Sequence, residues 1–305
     1  MDKPSECNIL SEILNENPRC RESCSAKEAP SYIDRRDYLT PKGCLLAHLI
    51  LTLIEMQRAS SCFKIPFNNL FTCGKNADDC WSILLTSSIL HDVGKLVNEY
   101  VTSRSYILHH QISAIIGKRA LESITDDSTA LRISYAILFH HEAIDWKAVY
   151  KSLLLFSYLQ RALSPTGKII YTVNQNRLNE FKQNLYRILD QIYQKKIITQ
   201  FQHRILTETS NYAMQELKNN QGFALDVSRE LNAAKIRDLK YLMPALALYR
   251  LLYLSDNRAA SARDQYWLRL IQQVNWEQLD NVAWQISSFL SKKYYYIGLS
   301  SIPDL

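Results

Sequence analysis

Residues 90–95 read LHDVGK, and the adjacent His91 and Asp92 constrain this chain more than any other pair. Both side chains reach one divalent cation only where the backbone changes direction, and Gly94, two residues on, is read as supplying that change. The preceding run, Asp78 to Leu90, is apolar at helical spacing, so the pair is expected at a helix C-terminus. A lone His-Asp dipeptide is a common accident. The other histidines change its weight. Six of the seven, His48, His91, His109, His110, His140 and His141, fall between positions 48 and 141, each inside or at the end of an apolar helical segment; the seventh is His203. Such rings need polar partners, and imidazole with carboxylate suits a first-row divalent ion. A fold that satisfies them must bring distant helices to one point.

Taken in order, residues 1–30 are polar, broken by Pro4, Pro18 and Pro30, and read as a loosely ordered arm. Thr40 as N-cap and Pro41 as first helical residue predict a helix to about Met56, with His48 midway. Residues 59–77 carry Pro66 and Gly74 and read as a connecting loop. A helix over 107–124 places His109 and Ser113 on one face, with His110 about 100° away, so His109 is the expected ligand of that doublet. Asp126, Asp127 and Ser128 offer caps for the next helix, which ends near His140 and His141. Adjacent rings diverge on a regular helix, so both serve as ligands only from different sides of a metal pair or where the helix loosens; Glu142 could orient one of them. Beyond 151 the pattern stays helical to about 243, with breaks at 164–167 and 219–222. A last helix is expected from Pro244, where Asp256 interrupts an apolar face. A buried carboxylate there needs a cation, either Arg258 or Arg263, or a metal.

With 47% hydrophobic residues the chain can bury a core of its own, and no apolar run approaches the 18 residues of a membrane span. The N-terminus has no charged-then-apolar leader, so a cytoplasmic protein is expected. Charge is unevenly placed: residues 151–250 hold 15 Lys/Arg against 7 Asp/Glu, a net +8, while the rest of the chain sums to −2. A basic segment beside a metal site suits a polyanionic substrate, though a solvated helical surface explains it too. The seven cysteines all lie in the first 80 residues. Cys20 and Cys24 lack the further ligands of a structural zinc site, and the odd cysteine count fits reduced thiols best, with a disulfide expected only if the source is a hyperthermophile.

Together, His48, His91–Asp92, His109, His140–His141 and Asp256 resemble the HD superfamily of metal-dependent phosphohydrolases. The narrower likeness is to its CRISPR-associated branch, the HD nuclease of type I interference systems. HHQISA resembles that branch's H-x-x-x-S-A element, YAILFHHEAI its doublet after an apolar helix, and LSDNRAAS its closing A-D-R-x-A-S element, with Ser255 in place of Ala. His110 stands where the family more often has Glu. The resemblance implies an all-α fold, an HD-domain helical bundle over 31–265 with a basic helical insertion at about 151–243, before the last ligand helix, and a C-terminal helical extension over 266–305. It implies metal ligands at His48, His91, Asp92, His109, His140, His141 and Asp256, with Asp92 bridging two divalent ions (Mg, Mn, Ni or Co). Lys95 matches the family's lysine near the scissile phosphate.

The activity so implied is phosphodiester hydrolysis of DNA, single-stranded in preference, in antiviral defence. No G-x-x-x-x-G-K-[ST] occurs, so the helicase would be a separate subunit, acting with a crRNA-guided complex. The alternative enzyme is an HD-family nucleotide or cyclic-nucleotide phosphohydrolase acting on small molecules. A non-enzymatic alternative is a degenerate HD module that docks in an interference complex.

Overall fold

The computed structural model describes residues 32–34, 40–42, 45–102, 109–140 and 168–261. Among these the chain is almost wholly helical, and elements are numbered here in chain order. A short ribbon pairs β1 (Tyr32–Asp34) antiparallel to β2 (Thr40–Lys42). The helices are α1 (Leu45–Arg58), α2 (Ser60–Phe71), α3 (Ala77–Leu90), α4 (Asn98–Thr102), α5 (His109–Glu122), α6 (Asp127–Phe139), α7 (Gln175–Gln194), α8 (Gln200–Asn219), α9 (Val227–Glu230) and α10 (Leu239–Ser261). Two 3-10 turns, Val93–Leu96 and Ala233–Arg237, interrupt them.

Two helices form the centre. Every residue of α1 from Leu45 to Met56 is buried, as is every residue of α3 from Cys80 to Leu90. A helix apolar all round belongs inside a core rather than on its surface. The small polar residues of α3 are made compatible with that burial locally. Ser82, Thr86, Ser87 and Ser88 each donate to a carbonyl three or four residues back, at 2.6–2.7 Å. Asn76 caps the start of α3 by accepting from the amides of Asp78 and Asp79. Around this centre, α5 pairs with α6, α10 lies across α6 and α1, and α8 packs on α3 and α5. The α7–α8 hairpin opens its second helix with a reciprocal Thr199/Gln202 capping box.

Three proline-based expectations differ from the structure. Thr40 and Pro41 sit in β2, with Pro41 opposite Ile33, and α1 starts only at Leu45; a two-stranded ribbon tolerates a residue without an N–H. Residues 60–71 are helical despite Pro66. An interior proline costs about 3 kcal/mol, but Phe63, Phe67 and Phe71 recur every four residues and are fully buried, each side chain contributing about 1.5–3 kcal/mol. Helix α10 begins at Leu239 rather than Pro244. Asp238 caps it, accepting from the Lys240 amide at 2.9 Å, and the carbonyl that Pro244 leaves unbonded belongs to exposed Lys240, where water reaches it.

The cysteine expectation also changes. The chain turns between α2 and α3 through Gly74 (φ 76°), bringing the Cα atoms of Cys73 and Cys80 to 4.8 Å, and these two form a disulfide; Cys62 is free and exposed. The N-terminal arm, the Cys20/Cys24 pair, Cys7, Cys44, His141, Glu142, the break at 164–167, Arg263 and the extension over 266–305 lie outside the described residues. Among the described residues no helix is long and apolar enough to cross a membrane.

Phe67 stacks on Trp81 at 6.0 Å between ring centroids and touches both neighbouring phenylalanines. Phe67→Ala is therefore expected to lower unfolding free energy by about 3–5 kcal/mol, read from the urea midpoint at unchanged slope.

Candidate metal centre

The site is built at helix ends. His91 and His140 are the C-cap residues of α3 and α6, where carbonyls lack intrahelical partners. Each ring turns back on its own helix: Nδ1 of His91 lies 2.9 Å from the Ser88 carbonyl, and Nδ1 of His140 lies 2.5 Å from that of Ile137. A carbonyl only accepts, so both Nδ1 atoms carry the proton, and in the neutral ring Nε2 is left as a lone pair aimed inward. His48 comes from the first turn of α1, His109 from the start of α5, and Asp256 from near the end of α10.

Asp92 stands where these meet. Its Oδ2 lies 3.3 Å from Nε2 of His48, 3.5 Å from Nε2 of His91 and 2.6 Å from Nζ of Lys95. Its Oδ1 lies 3.2 Å from Nε2 of His109 and 3.4 Å from Nε2 of His140. Asp256 closes the first group, with Oδ1 2.8 Å from His48 and 3.6 Å from His91. Two ligand sets result, one of His48, His91, Asp92 and Asp256, the other of Asp92, His109 and His140, and within each the ligand atoms lie within 4.8 Å of one another. Asp92 belongs to both.

The chemistry of this donor set fits a metal ion. Asp92 is 1% exposed, and burial opposes its charge; the Lys95 ammonium, His91 and the rings of His109 and His140 outweigh it and hold the carboxyl well below its ordinary value. Burial likewise opposes ionisation of Asp256, and His48 and His91 hold it low. Both acids are thus anions. His109 is pushed down to about 4, chiefly by burial, so at neutral pH it is an uncharged ring. Oδ2 of Asp92 and Oδ1 of Asp256 converge on the Nε2 atoms of His48 and His91, and Oδ1 of Asp92 has no aligned hydrogen-bond donor among the described residues. Two carboxylates brought together in a dry interior repel unless positive charge lies between them. The buried His48, His91, Asp92 and Asp256 cluster can hold a metal ion.

The structure brings together His48, His91, Asp92, His109, His140, Asp256 and, against Asp92, Lys95. His110 is buried, its ring 5.9 Å from that of His109 and 6.4 Å from that of His140, but it belongs to neither ligand set. The partner of Asp256 is His48, whereas Nε of Arg258 lies 2.8 Å from Oε2 of Glu55. Two features escaped the sequence reading. Tyr100 lies edge-on to His109 at 5.0 Å and under the Lys95 ammonium at 5.9 Å, and nothing local marks it among 18 tyrosines. Gly94 does not supply a left-handed turn. It sits inside the 3-10 turn with ordinary φ, its amide donates to Oγ of Ser113 at 2.8 Å, and a Cβ there would run into the carbonyl oxygen of His109. No family model, curated protein or solved structure matches the chain.

The close approach at Gly94 brings Asp92 to the start of α5. Gly94→Ala is expected to push the 3-10 turn off α5, lowering stability by about 1–3 kcal/mol in urea unfolding and weakening Mn²⁺ binding in calorimetry.

Proposed function

We propose that this chain is a metal-dependent phosphodiesterase of the HD superfamily that cleaves DNA, single strands in preference, as a stand-alone cytoplasmic nuclease of type I CRISPR interference. The helicase and the crRNA-guided complex would be other chains. The observation that carries the reading is the position of Asp92, whose two oxygens face two different ligand sets, as a carboxylate shared by two cations must. The finer fold, an HD bundle with a basic helical insertion before the last ligand helix, belongs to the same proposal. His48, His91, Asp92 and Asp256 would hold one ion, and Asp92, His109 and His140, joined by His141, a second.

Divalent ions there, of Mg, Mn, Ni or Co, would supply Lewis-acid polarisation of the phosphate and an acidified water, which removes any need for a protein nucleophile. The residues of the chain then have distinct tasks. Asp92 and Asp256 stay ionised and hold positive charge in the pocket. Lys95, anchored beside Asp92, offsets charge growing on the phosphate oxygens. Tyr100 walls the side of the site next to Lys95 and His109. Lys196, Arg204, Lys218, Lys235 and Lys240 are exposed in the basic stretch and suit a sequence-independent hold on a phosphodiester backbone.

Burial favours a second reading. Lys95 is only 3% exposed and His48 is fully buried, which suits a mononucleotide or cyclic nucleotide drawn into a pocket better than a polymer. The excess of positive charge favours the polymer. Hydrolysis assays with mononucleotides and with a single-stranded oligonucleotide separate the two. In the nuclease case Asp92→Ala abolishes Mn²⁺-dependent cleavage of the oligonucleotide while far-UV circular dichroism is unchanged. Undiminished cleavage by the variant would rule out the proposed site.

A further inference from the structure

Helices α1 and α10 each give one ligand to the four-residue set, His48 and Asp256, and each carries a second charged residue close by. Glu55 follows His48 by seven residues, two turns along nearly the same face. Arg258 follows Asp256 by two. Nε of Arg258 lies 2.8 Å from Oε2 of Glu55 as an ion pair, with the Glu55 side chain 7% and the Arg258 side chain 20% exposed. Neither residue belongs to the converging ligand sets.

An ion pair placed this deep is poor evidence of a stabilising contact. Desolvating both ends costs several kcal/mol, and apolar residues of similar size often replace such a pair with no loss. What the pair adds is a fixed point of contact. Helices α1 and α10 pack on each other, and both are rich in buried apolar side chains, Leu45 and Leu49 on one and Leu248 and Leu252 on the other, a kind of surface that tolerates small slides and rotations. A metal ligand does not tolerate them, since shifts beyond about 0.5 Å spoil coordination. Oδ1 of Asp256 reaches Nε2 of His48 only at one register of the two helices, and the guanidinium–carboxylate contact two turns along α1 selects that register.

We propose that Glu55 and Arg258 are positioning residues that set α10 on α1, and thereby set the affinity of the His48/His91/Asp92/Asp256 set for a divalent cation. The inference rests on the metal-centre reading above. Asp92, His109 and His140 come from the turn after α3, from α5 and from α6, so their set should feel the pair much less.

The test uses the full chain and Mn²⁺ titration calorimetry, with Co²⁺ absorption as a report on ligand geometry. Arg258→Met alone takes a cation away from a buried carboxylate and risks unfolding, so the main variant is Glu55→Leu with Arg258→Met, and Arg258→Lys is the conservative control. Wild type is expected to bind two Mn²⁺. The double variant should keep the wild-type melting temperature, retain one site, and bind at the other about 10–100-fold more weakly, with an altered Co²⁺ spectrum. Arg258→Lys should recover part of that loss. Both sites at wild-type affinity in the folded double variant would overturn the positioning role while leaving the metal centre intact. Wild type that binds neither Mn²⁺ nor Co²⁺ would overturn the metal centre and this inference with it.

Discussion

One ionised carboxylate without water, that of Asp92, governs this structure. Moving such a group out of water costs several kcal/mol after relaxation, and the cost is met only if compensating groups arrive from every side. Here they arrive from five places: α1 with His48, the end of α3 with His91, the 3-10 turn with Lys95, the start of α5 with His109 and the end of α6 with His140. The ionised state of Asp92 and the mutual packing of those elements are therefore one condition. Helices α1 and α3, which carry His48 and His91 to that carboxylate, are buried almost throughout.

Helix ends make the arrangement economical. The His91 ring bonds the Ser88 carbonyl and the His140 ring the Ile137 carbonyl, which also accepts from the His140 amide, and the same contact fixes which ring nitrogen points at Asp92. A capping interaction and a ligand orientation are obtained from one hydrogen bond. The parallel extends to geometry, since both caps bond the residue three positions back. Gly94 completes the arrangement by letting backbone meet backbone, bringing the 3-10 turn against the first turn of α5 so that Asp92 and His109 become neighbours.

The residues of this centre were legible in the sequence because the signal was chemical and repeated: rings and acids at positions where apolar periodicity called for leucine. His48, His109 over His110, and Asp256 were all readable on that ground, and so was the end of α3 at His91. What was not legible had a different character. Pro41, Pro66 and Pro244 look like boundaries, but a proline marks only a lost hydrogen bond, and the phenylalanine spacing of α2 or the cap at Asp238 decides whether that loss matters. The Cys73–Cys80 pairing depends on a turn whose closure no spacing specifies. Glu55 gave the same sign as Asp256, an acid within an apolar run, yet its partner lies about two hundred residues away on α10 and only the packing reveals it.

Charge arithmetic links the proposed activity to the shell of residues. Asp92 and Asp256 are the two acids among the described ligands, and with the imidazoles in the neutral form that binds metal the shell would supply a formal charge near −2. Two divalent cations bound there, with the Lys95 ammonium, would leave the pocket about three charges positive. In a low-dielectric interior such an excess is tolerable only when anions share the site, and a phosphodiester together with hydroxide would supply them. A shell richer in carboxylates would hold the same ions more tightly and leave less positive charge for the substrate. The scarcity of acids among so many imidazoles is therefore the feature on which the proposed phosphate chemistry would draw.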